Sequence, residues 1–290
     1  MLLWLVACRS PVQPPEPVVI EIAGSTSMQP LLEDLAEAYT RHHKYVTIKV
    51  EGGGSRLGME LAREGRVDLA ASSQTPHAEG RSIATPLHWS TPIALDGIAI
   101  IVHPDNGVEG LTMLQVRDIF SGRILSWKEV GGRAEEIVVV SREEGSGTRK
   151  AFEGMVMGGR RVTPTAVVMP GSAAVVEYVA EHPEAIGYVS MGYLTNGLAP
   201  LNREATCLTR RCWHRGPSEA LRHLSPQVKA LAIEGVLPTP ESVEGGEYHL
   251  IRPLFLVAAE EPTGEVKAFV EFILSPKGQA IVGKGYGRVH

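Results

Sequence analysis

One pattern restricts the fold of this chain more than any other, and it occurs three times. At residues 18–28, 46–57 and 137–149 a β-branched apolar run breaks into a Gly/Ser/Thr loop that opens directly onto apolar residues at helical spacing. Strands that alternate with helices in this way call for an α/β chain with a parallel sheet. The same pattern has chemical content. Backbone N–H groups at a helix start carry a fractional positive charge, and hydroxyls beside them add neutral donors, so each loop can hold the oxygens of an anion. One such loop is commonplace. Three, one of them carrying an arginine, point to convergence on a single ligand.

Along the chain the spacing predicts strands over 18–23, 46–50 and 67–71, with helices over 29–42 and 55–64 between them. In the first helix Leu31, Leu32, Leu35, Ala38 and Tyr39 share a face, and Pro30 falls in the first turn, where its missing N–H is harmless. Gly65 stops the second. An apolar run over 93–103, closed by Pro104, Asp105 and Asn106, reads as a strand leaving the first domain. A second unit follows: helix 114–120, a turn at Ser126-Trp127, strand 137–140, a helix ending at Gly158-Gly159, helix 175–180 and strand 185–189. The end reads as an extended stretch over 254–258 and a helix over 266–274 continued by 277–282. With 290 residues there is room for two domains, each with its own core. The expected division is 18–95 plus 250–290 for one lobe and 96–249 for the other, joined by two crossings. A cleft then lies between the lobes, with loops at the carboxyl ends of parallel strands facing it.

Composition narrows the function. Apolar residues at 43% and charged residues at 21% describe an ordinary soluble globular chain, and no apolar run after residue 10 approaches a transmembrane length. The formal net charge of -5, with no basic block interleaved with aromatics, argues against a nucleic-acid partner. Residues 2–7 form an apolar run ending at Cys8, followed by a tether containing Pro11, Pro14, Pro15 and Pro17. Residues 1–17 therefore read as an export remnant and tether. Leu5-Val6-Ala7-Cys8 resembles the bacterial lipoprotein box in which the cysteine is diacylated, so Cys8 is the expected lipidation site. No Lys or Arg precedes it, which places the expected start of the chain upstream. The expected location is the periplasm or the outer face of the cytoplasmic membrane, held by a lipid anchor. Cys207 and Cys212 sit in a polar, Arg-rich insertion at about 200–224, where an exported protein favours a disulfide. That loop adds about 2 kcal/mol on the chain-entropy argument. A zinc set with His214 lacks a fourth ligand at suitable spacing.

The loops differ in how sharply they point to binding. Gly24-Ser25-Thr26-Ser27-Met28 offers three hydroxyls, more than one helix cap needs, although an ordinary capped helix start explains it too. Gly52-Gly53-Gly54-Ser55 permits close approach of backbone to a ligand, and a flexible turn explains it nearly as well. The third loop, Ser141-Arg142-Glu143-Glu144-Gly145-Ser146-Gly147-Thr148-Arg149, puts a guanidinium and two hydroxyls above a helix start. Arginine offers paired N–H donors that match a tetrahedral oxyanion. The alternative is a surface pairing of Arg142 with Glu143 or Glu144.

Taken in order, these loops, with Asp68-Leu69-Ala70-Ala71-Ser72-Ser73, Ala185-Ile186-Gly187-Tyr188-Val189 and Ser275-Pro276-Lys277-Gly278-Gln279, resemble the phosphate-binding subunit of bacterial phosphate ABC transporters. The resemblance covers about 18–198 and 225–290. It implies a two-lobed periplasmic-binding-protein type II fold, α/β, with mixed, mainly parallel sheets, a hinge and an interlobe cleft. It implies that Thr26, Ser27 and Ser55 donate from one lobe, while Arg142, Ser146, Gly147 and Thr148 grip the anion from the other. The implied ligand is inorganic phosphate, and the implied partners are the permease and ATPase subunits of an ABC importer. The expected chain is a monomer without cofactor or metal. In one place it departs from the family. Where the family has an Asp two residues beyond the small residue at the end of the third strand, this chain has Ser73. That Asp accepts the proton of hydrogen phosphate and repels sulfate, because a buried carboxylate faces an anion cheaply only with a proton between them. Asp96 is the candidate substitute; a strand cap or a hinge hydrogen bond explains it equally well. Asp68 begins a strand and reads as structural.

Catalysis has no assembled candidate. The G-x-S-x-G elbow fails at Ser55, where Leu57 holds the last position, and at Ser146, where Glu144 holds the first. Gly283-Lys284 is followed by Gly285 and makes no phosphate-binding P-loop. The ten histidines are scattered. Binding of another tetrahedral oxyanion such as sulfate or molybdate, or a surface signalling or adhesion role on the same fold, are the competing readings.

Overall fold

The computed structural model describes residues 16–76, 87–195 and 228–289. Cys8, Cys207 and Cys212, and with them the expected anchor, disulfide and the whole insertion, lie outside the described residues. The first half begins with β1 (Val18–Gly24), α1 (Gln29–Thr40), β2 (Val46–Gly53), α2 (Ser55–Arg63) and β3 (Leu69–Ser72). As the alternation requires, β1 runs parallel to both β2 and β3. α1 lays Leu31, Leu32, Leu35 and Tyr39 into the core beside Ile20 and Ile22, each Leu contributing about 1.5–3 kcal/mol by leaving water. The turn out of β1 depends on Gly24, whose φ is 139° and where a Cβ would sit 2.3 Å from the Ala71 carbonyl oxygen. That carbonyl accepts a hydrogen bond from the Ser25 N–H, so a side chain here would break the turn that starts the first loop.

β4 (Trp89–Val102) then crosses the molecule. The second half follows with β5 (Gly110–Leu111), α3 (Met113–Phe120), a 3-10 turn (Trp127–Val130), β6 (Val138–Arg142), α4 (Gly147–Met155), β7 (Val167–Met169), α5 (Ser172–Glu181), β8 (Ala185–Ser190) and α6 (Gly192–Thr195). Short strands β9 (Lys229–Ala230) and β10 (Ala232–Ile233), α7 (Pro240–Glu244) and β11 (Ile251–Ala258) lead back, and α8 (Gly264–Leu274) and α9 (Pro276–Val282) close the first half. The strand order is β2-β1-β3-β11-β4-β8-β6-β7. β11 is antiparallel to β3 and β4, β4 is antiparallel to β8, and β8-β6-β7 are parallel, so the sheet is mixed. β4 pairs with β11 up to Gly97 and with β8 from Ile98 onward, which makes residues 96–98 the place where the sheet passes from one half to the other.

Several elements begin earlier than expected, β4 at Trp89, α5 at Ser172 and β11 at Ile251, and two further differences have a clear local cause. The closing helix is not continuous: Ser275 is extended, Pro276 starts a new helix, and the Ser275 hydroxyl accepts from the Gly278 N–H at 3.3 Å. A proline disfavours helical geometry in the residue before it, which is why the break falls there. The third strand starts at Leu69 rather than 67, and Asp68 lies ahead of it, accepting the Glu21 N–H at 2.8 Å.

α8 is tied to α1 through Glu265, which accepts from the Tyr45 hydroxyl and, at 2.8 Å, from the Tyr39 hydroxyl. These bonds, Tyr45 first, hold the Glu265 carboxyl below the usual range. A carboxylate lowered on folding adds stability that is complete above its unfolded pKa of about 4.3 and disappears as pH falls through the folded value. Glu265→Gln is therefore expected to flatten the fall of melting temperature with pH below about 4, and an unchanged acid limb would refute the assignment.

Candidate functional site

Four serines from three strand ends meet in the first half. The Ser25 and Ser27 hydroxyls share a hydrogen bond at 2.8 Å, Ser25 Oγ donates to Ser73 Oγ at 3.0 Å, and Ser73 and Ser55 share another at 3.2 Å. The Ser73 N–H also donates to Ser55 Oγ at 3.1 Å. All four are buried. These hydroxyls are not spent on helix caps: neither Met28 ahead of α1 nor Gly54 ahead of α2 supplies a side-chain cap. The capped-helix explanation of the first loop therefore does not hold.

The second half supplies the guanidinium. Arg142 ends β6 and is 1% exposed. Its strand end is pinned by Tyr188, whose hydroxyl shares a bond with Ser141 at 2.8 Å and accepts the Arg142 N–H at 3.4 Å. Tyr188 in turn stacks on Phe152 of α4. Burial pushes the Tyr188 hydroxyl up to about 12, so it stays neutral. Arg149 on α4 donates to the Arg142 carbonyl at 2.9 Å. From this frame Arg142 Nη2 donates to Thr26 Oγ1 in the other half at 3.1 Å, and Nη1 donates to Ser172 Oγ at 2.9 Å. Its remaining edge meets Glu143, Nε at 2.9 Å and Nη2 at 2.8 Å. The pairing with Glu143 is thus real but interior, whereas Glu144 pairs at the surface with Arg161.

The start of α4 completes the contact between halves. Thr148 Oγ1 donates to Ser27 Oγ at 3.2 Å, and the Arg56 N–H in α2 donates to the Gly145 carbonyl at 3.3 Å. Gly147 lies against Ser55 and Ser73 so closely that a Cβ would be 2.5 Å from each hydroxyl oxygen. Ser146 is buried and its hydroxyl accepts the Arg149 N–H at 3.2 Å, so it caps α4 at the edge of this group. Thr26, Ser27, Ser55, Ser73, Arg142, Gly147 and Thr148 therefore share one interface between the two halves.

Asp96 stands beside them, wholly buried, with both oxygens engaged. Oδ1 accepts from the Ser190 hydroxyl at 2.7 Å and the Met191 N–H at 3.2 Å; Oδ2 accepts from Arg252 Nε at 3.0 Å and Nη2 at 2.8 Å. Burial pushes its carboxyl up, and the charge of Arg252 with these hydrogen bonds pulls it back down. These donors hold it where β4 changes its partner from β11 to β8.

The sequence reading missed Arg252, Ser172, Tyr193 and Tyr286. Tyr193 donates to the Thr26 carbonyl at 2.7 Å and Tyr286 to the Ser27 carbonyl at 3.2 Å, fixing the first loop from behind. Burial pushes the Tyr193 hydroxyl up to about 12, which keeps it a neutral donor. Arg252 did carry a signal, a lone charge inside the apolar run Ile251-Arg252-Pro253-Leu254, since such a charge is buried only when paired. Among the described residues no group of three His, Cys, Asp or Glu is placed to hold a metal ion.

The family model of the PBP superfamily domain matches residues 11–277. The chain belongs to the PBP superfamily. It is similar to curated proteins over most of its length, among them the phosphate-binding protein PstS of Bacillus subtilis (strain 168), 29% identical over 269 residues, 92% of this chain and 79% of that one. A solved structure from Clostridium perfringens, assigned as a phosphate ABC transporter substrate-binding protein and holding bound phosphate, superposes with a TM-score of 0.78 at 34% identity, covering 94% of this chain and all of that one (100%). An ABC-type phosphate transport receptor from Vibrio cholerae gives 0.66 at 31% identity, covering 92% and 99%. The fold of this PBP-superfamily chain is the two-lobed type II α/β fold.

Proposed function

We propose that this PBP-superfamily chain captures inorganic phosphate outside the cytoplasm and delivers it to the permease and ATPase subunits of an ABC importer. It is a binding protein, not an enzyme. The observation that carries the reading is the pair of bonds across the halves, Arg142 to Thr26 and Thr148 to Ser27, which brings one guanidinium and a bed of hydroxyls to a single interface. The unprotonated oxygens of an oxyanion accept hydrogen bonds, and every group named here can donate. Bonds to charged groups contribute about 1.5–3 kcal/mol each, so a handful accounts for micromolar affinity, about 8 kcal/mol. Neutral hydroxyls spread the anion's charge without many fixed cations, so the ligand is released when a membrane partner prises the lobes apart.

The ligand set is Thr26, Ser27, Ser55, Ser73, Arg142, Ser146, Gly147 and Thr148. The lobes are 18–95 with 250–290, and 96–249; the change of β4's partner after Gly97 supports the first boundary. Calorimetric titration of the soluble chain with phosphate, sulfate, molybdate and arsenate tests the function. Phosphate is expected to bind most tightly. Tighter binding of sulfate or molybdate, or no heat with phosphate, overturns it. A monomer tethered through a lipid on Cys8 completes the reading, supported by the lipobox-like sequence ahead of the Pro-rich tether. Cys8→Ser in the full-length chain is expected to move the protein from the membrane fraction to the soluble one; retention on the membrane counts against the anchor.

A further inference from the structure

The hinge carries a second guanidinium that this account of the anion site does not use. Arg252 in β11 stands directly opposite Asp96 in β4, one residue before β4 exchanges β11 for β8 as its partner. Asp96 is 0% and Arg252 2% exposed, and the pair closes through both Nε and Nη2. The arginine does not end at its counter-ion. Nη2 also donates to Thr148 Oγ1 at 3.0 Å and to Ser27 Oγ at 3.3 Å, and Nη1 donates to the Ser73 carbonyl at 3.3 Å. One nitrogen at the hinge therefore touches a hydroxyl of each half, and those two hydroxyls are bonded to each other.

Stability alone does not account for such a pair. Two charges buried together lose hydration that their attraction roughly offsets, and apolar residues of the same volume often serve as well or better. The contacts on Ser27 and Thr148 have a different consequence. A hydroxyl has one proton to give, and a guanidinium can only donate. Facing Nη2, each hydroxyl turns its lone pairs toward the arginine; here the Thr148 proton goes to Ser27 and the Ser27 proton to Ser25, and an acceptor between the halves would receive them instead.

We infer that Arg252 is a positioning residue of the anion site: held by Asp96, it aims the hydroxyl protons of Ser27 and Thr148 at a bound tetrahedral anion and adds its charge to that of Arg142. The inference rests on the phosphate reading of the site. It makes Asp96 the counter-ion of Arg252 instead of the acceptor of a ligand proton. The hinge and the ligand are then coupled through one side chain, because rotating the halves apart separates the two hydroxyls that Nη2 bridges.

The test compares wild type, Arg252→Lys and the double variant Asp96→Asn/Arg252→Met by calorimetric titration with inorganic phosphate and with sulfate, alongside melting curves. The double variant removes both buried charges together, so its melting temperature is expected to match or exceed that of wild type. Its phosphate affinity is expected to be about tenfold weaker, the loss of one charge-assisted contribution, with Arg252→Lys in between. Asp96→Asn alone is expected to weaken phosphate and sulfate in the same proportion, whereas a selective gain of sulfate would restore the proton-acceptor role and overturn the inference. If the double variant and Arg252→Lys both bind phosphate within about threefold of wild type, the pair is only structural and the inference fails. A wild-type chain that binds no phosphate overturns the functional reading itself, an outcome distinct from either.

Discussion

Arg142→Met is expected to weaken phosphate binding by about a hundredfold or more while leaving the melting temperature of the free chain within a few degrees of wild type. The size follows from what the side chain can offer. Arg142 reaches the interface with both terminal nitrogens, Nη2 at Thr26 and Nη1 at Ser172, and both face hydroxyls that would otherwise hydrogen-bond an anion alone. Losing two charge-assisted donors at about 1.5 kcal/mol each already amounts to about two decades in affinity. The fold is spared because the strand end is held by backbone and neighbours: Tyr188 fixes Ser141 and the Arg142 N–H, and Arg149 fixes the Arg142 carbonyl. Glu143, left without its charge partner, is part-exposed and can be rehydrated, and the Thr26 and Ser172 hydroxyls each lose one donor. Arg142→Lys separates charge from geometry. A lysine keeps the cation but not the planar fork, so its affinity is expected to fall between the two. Calorimetric titration with phosphate at low and moderate salt reads the effect; affinity within about threefold of wild type for Arg142→Met would remove the arginine from the site.

Why the role of one arginine could be read in the sequence and the partners of the other could not is a matter of where the contacts come from. Arg142 sits in a loop between a strand and a helix, next to two glycines and two hydroxyls, so its local surroundings declare the chemistry. Arg252 is surrounded in sequence by apolar strand residues, and everything it touches is far away along the chain: Asp96, Thr148, Ser27 and the Ser73 carbonyl. Only the antiparallel pairing of β11 with β4 puts Arg252 opposite Asp96, and which distant strands become neighbours is not written in the hydrophobic pattern of either. The same holds for the sheet as a whole. β1, β2 and β3 follow from strand–helix alternation, which forces parallel neighbours, whereas the insertion of β11 between β3 and β4 depends on the last quarter of the chain returning to the first half. Asp96 shows the limit most clearly. Its residue type and its place in the crossing strand fit a proton acceptor, a strand cap or a hinge bond equally, and nothing in the sequence shows the four donors that surround it. The serines were legible as hydroxyls but not as a connected group, since Ser25, Ser55 and Ser73 come from three separate strand ends.

Gly147→Ala is a sharper probe of the closed interface, because it adds one methyl group and removes nothing. Gly147 is the first residue of α4, and its backbone is not in the left-handed region, so alanine is conformationally admissible there. Considered within its own half, the change is stabilising by about 0.4–1 kcal/mol, since alanine loses less freedom than glycine on folding. Across the interface the sign reverses. The new Cβ would lie 2.5 Å from both Ser55 Oγ and Ser73 Oγ and 3.1 Å from Ser55 Cβ, and these two serines are bonded to each other, Ser73 also to Ser25. Neither hydroxyl can yield without breaking that chain, so the halves must stand apart. Overpacking of this kind costs about 2 kcal/mol, which corresponds to about thirtyfold weaker phosphate binding. The two effects are separable by measurement. The melting temperature of the phosphate-free variant is expected to equal or slightly exceed that of wild type, while calorimetry shows the loss of affinity and small-angle scattering shows less contraction on adding phosphate. Were Gly147→Ala to bind phosphate as tightly as wild type and contract as fully, the contact of α4 with Ser55 and Ser73 would have no part in gripping the ligand, and the interface that joins the two halves would have to be sought elsewhere.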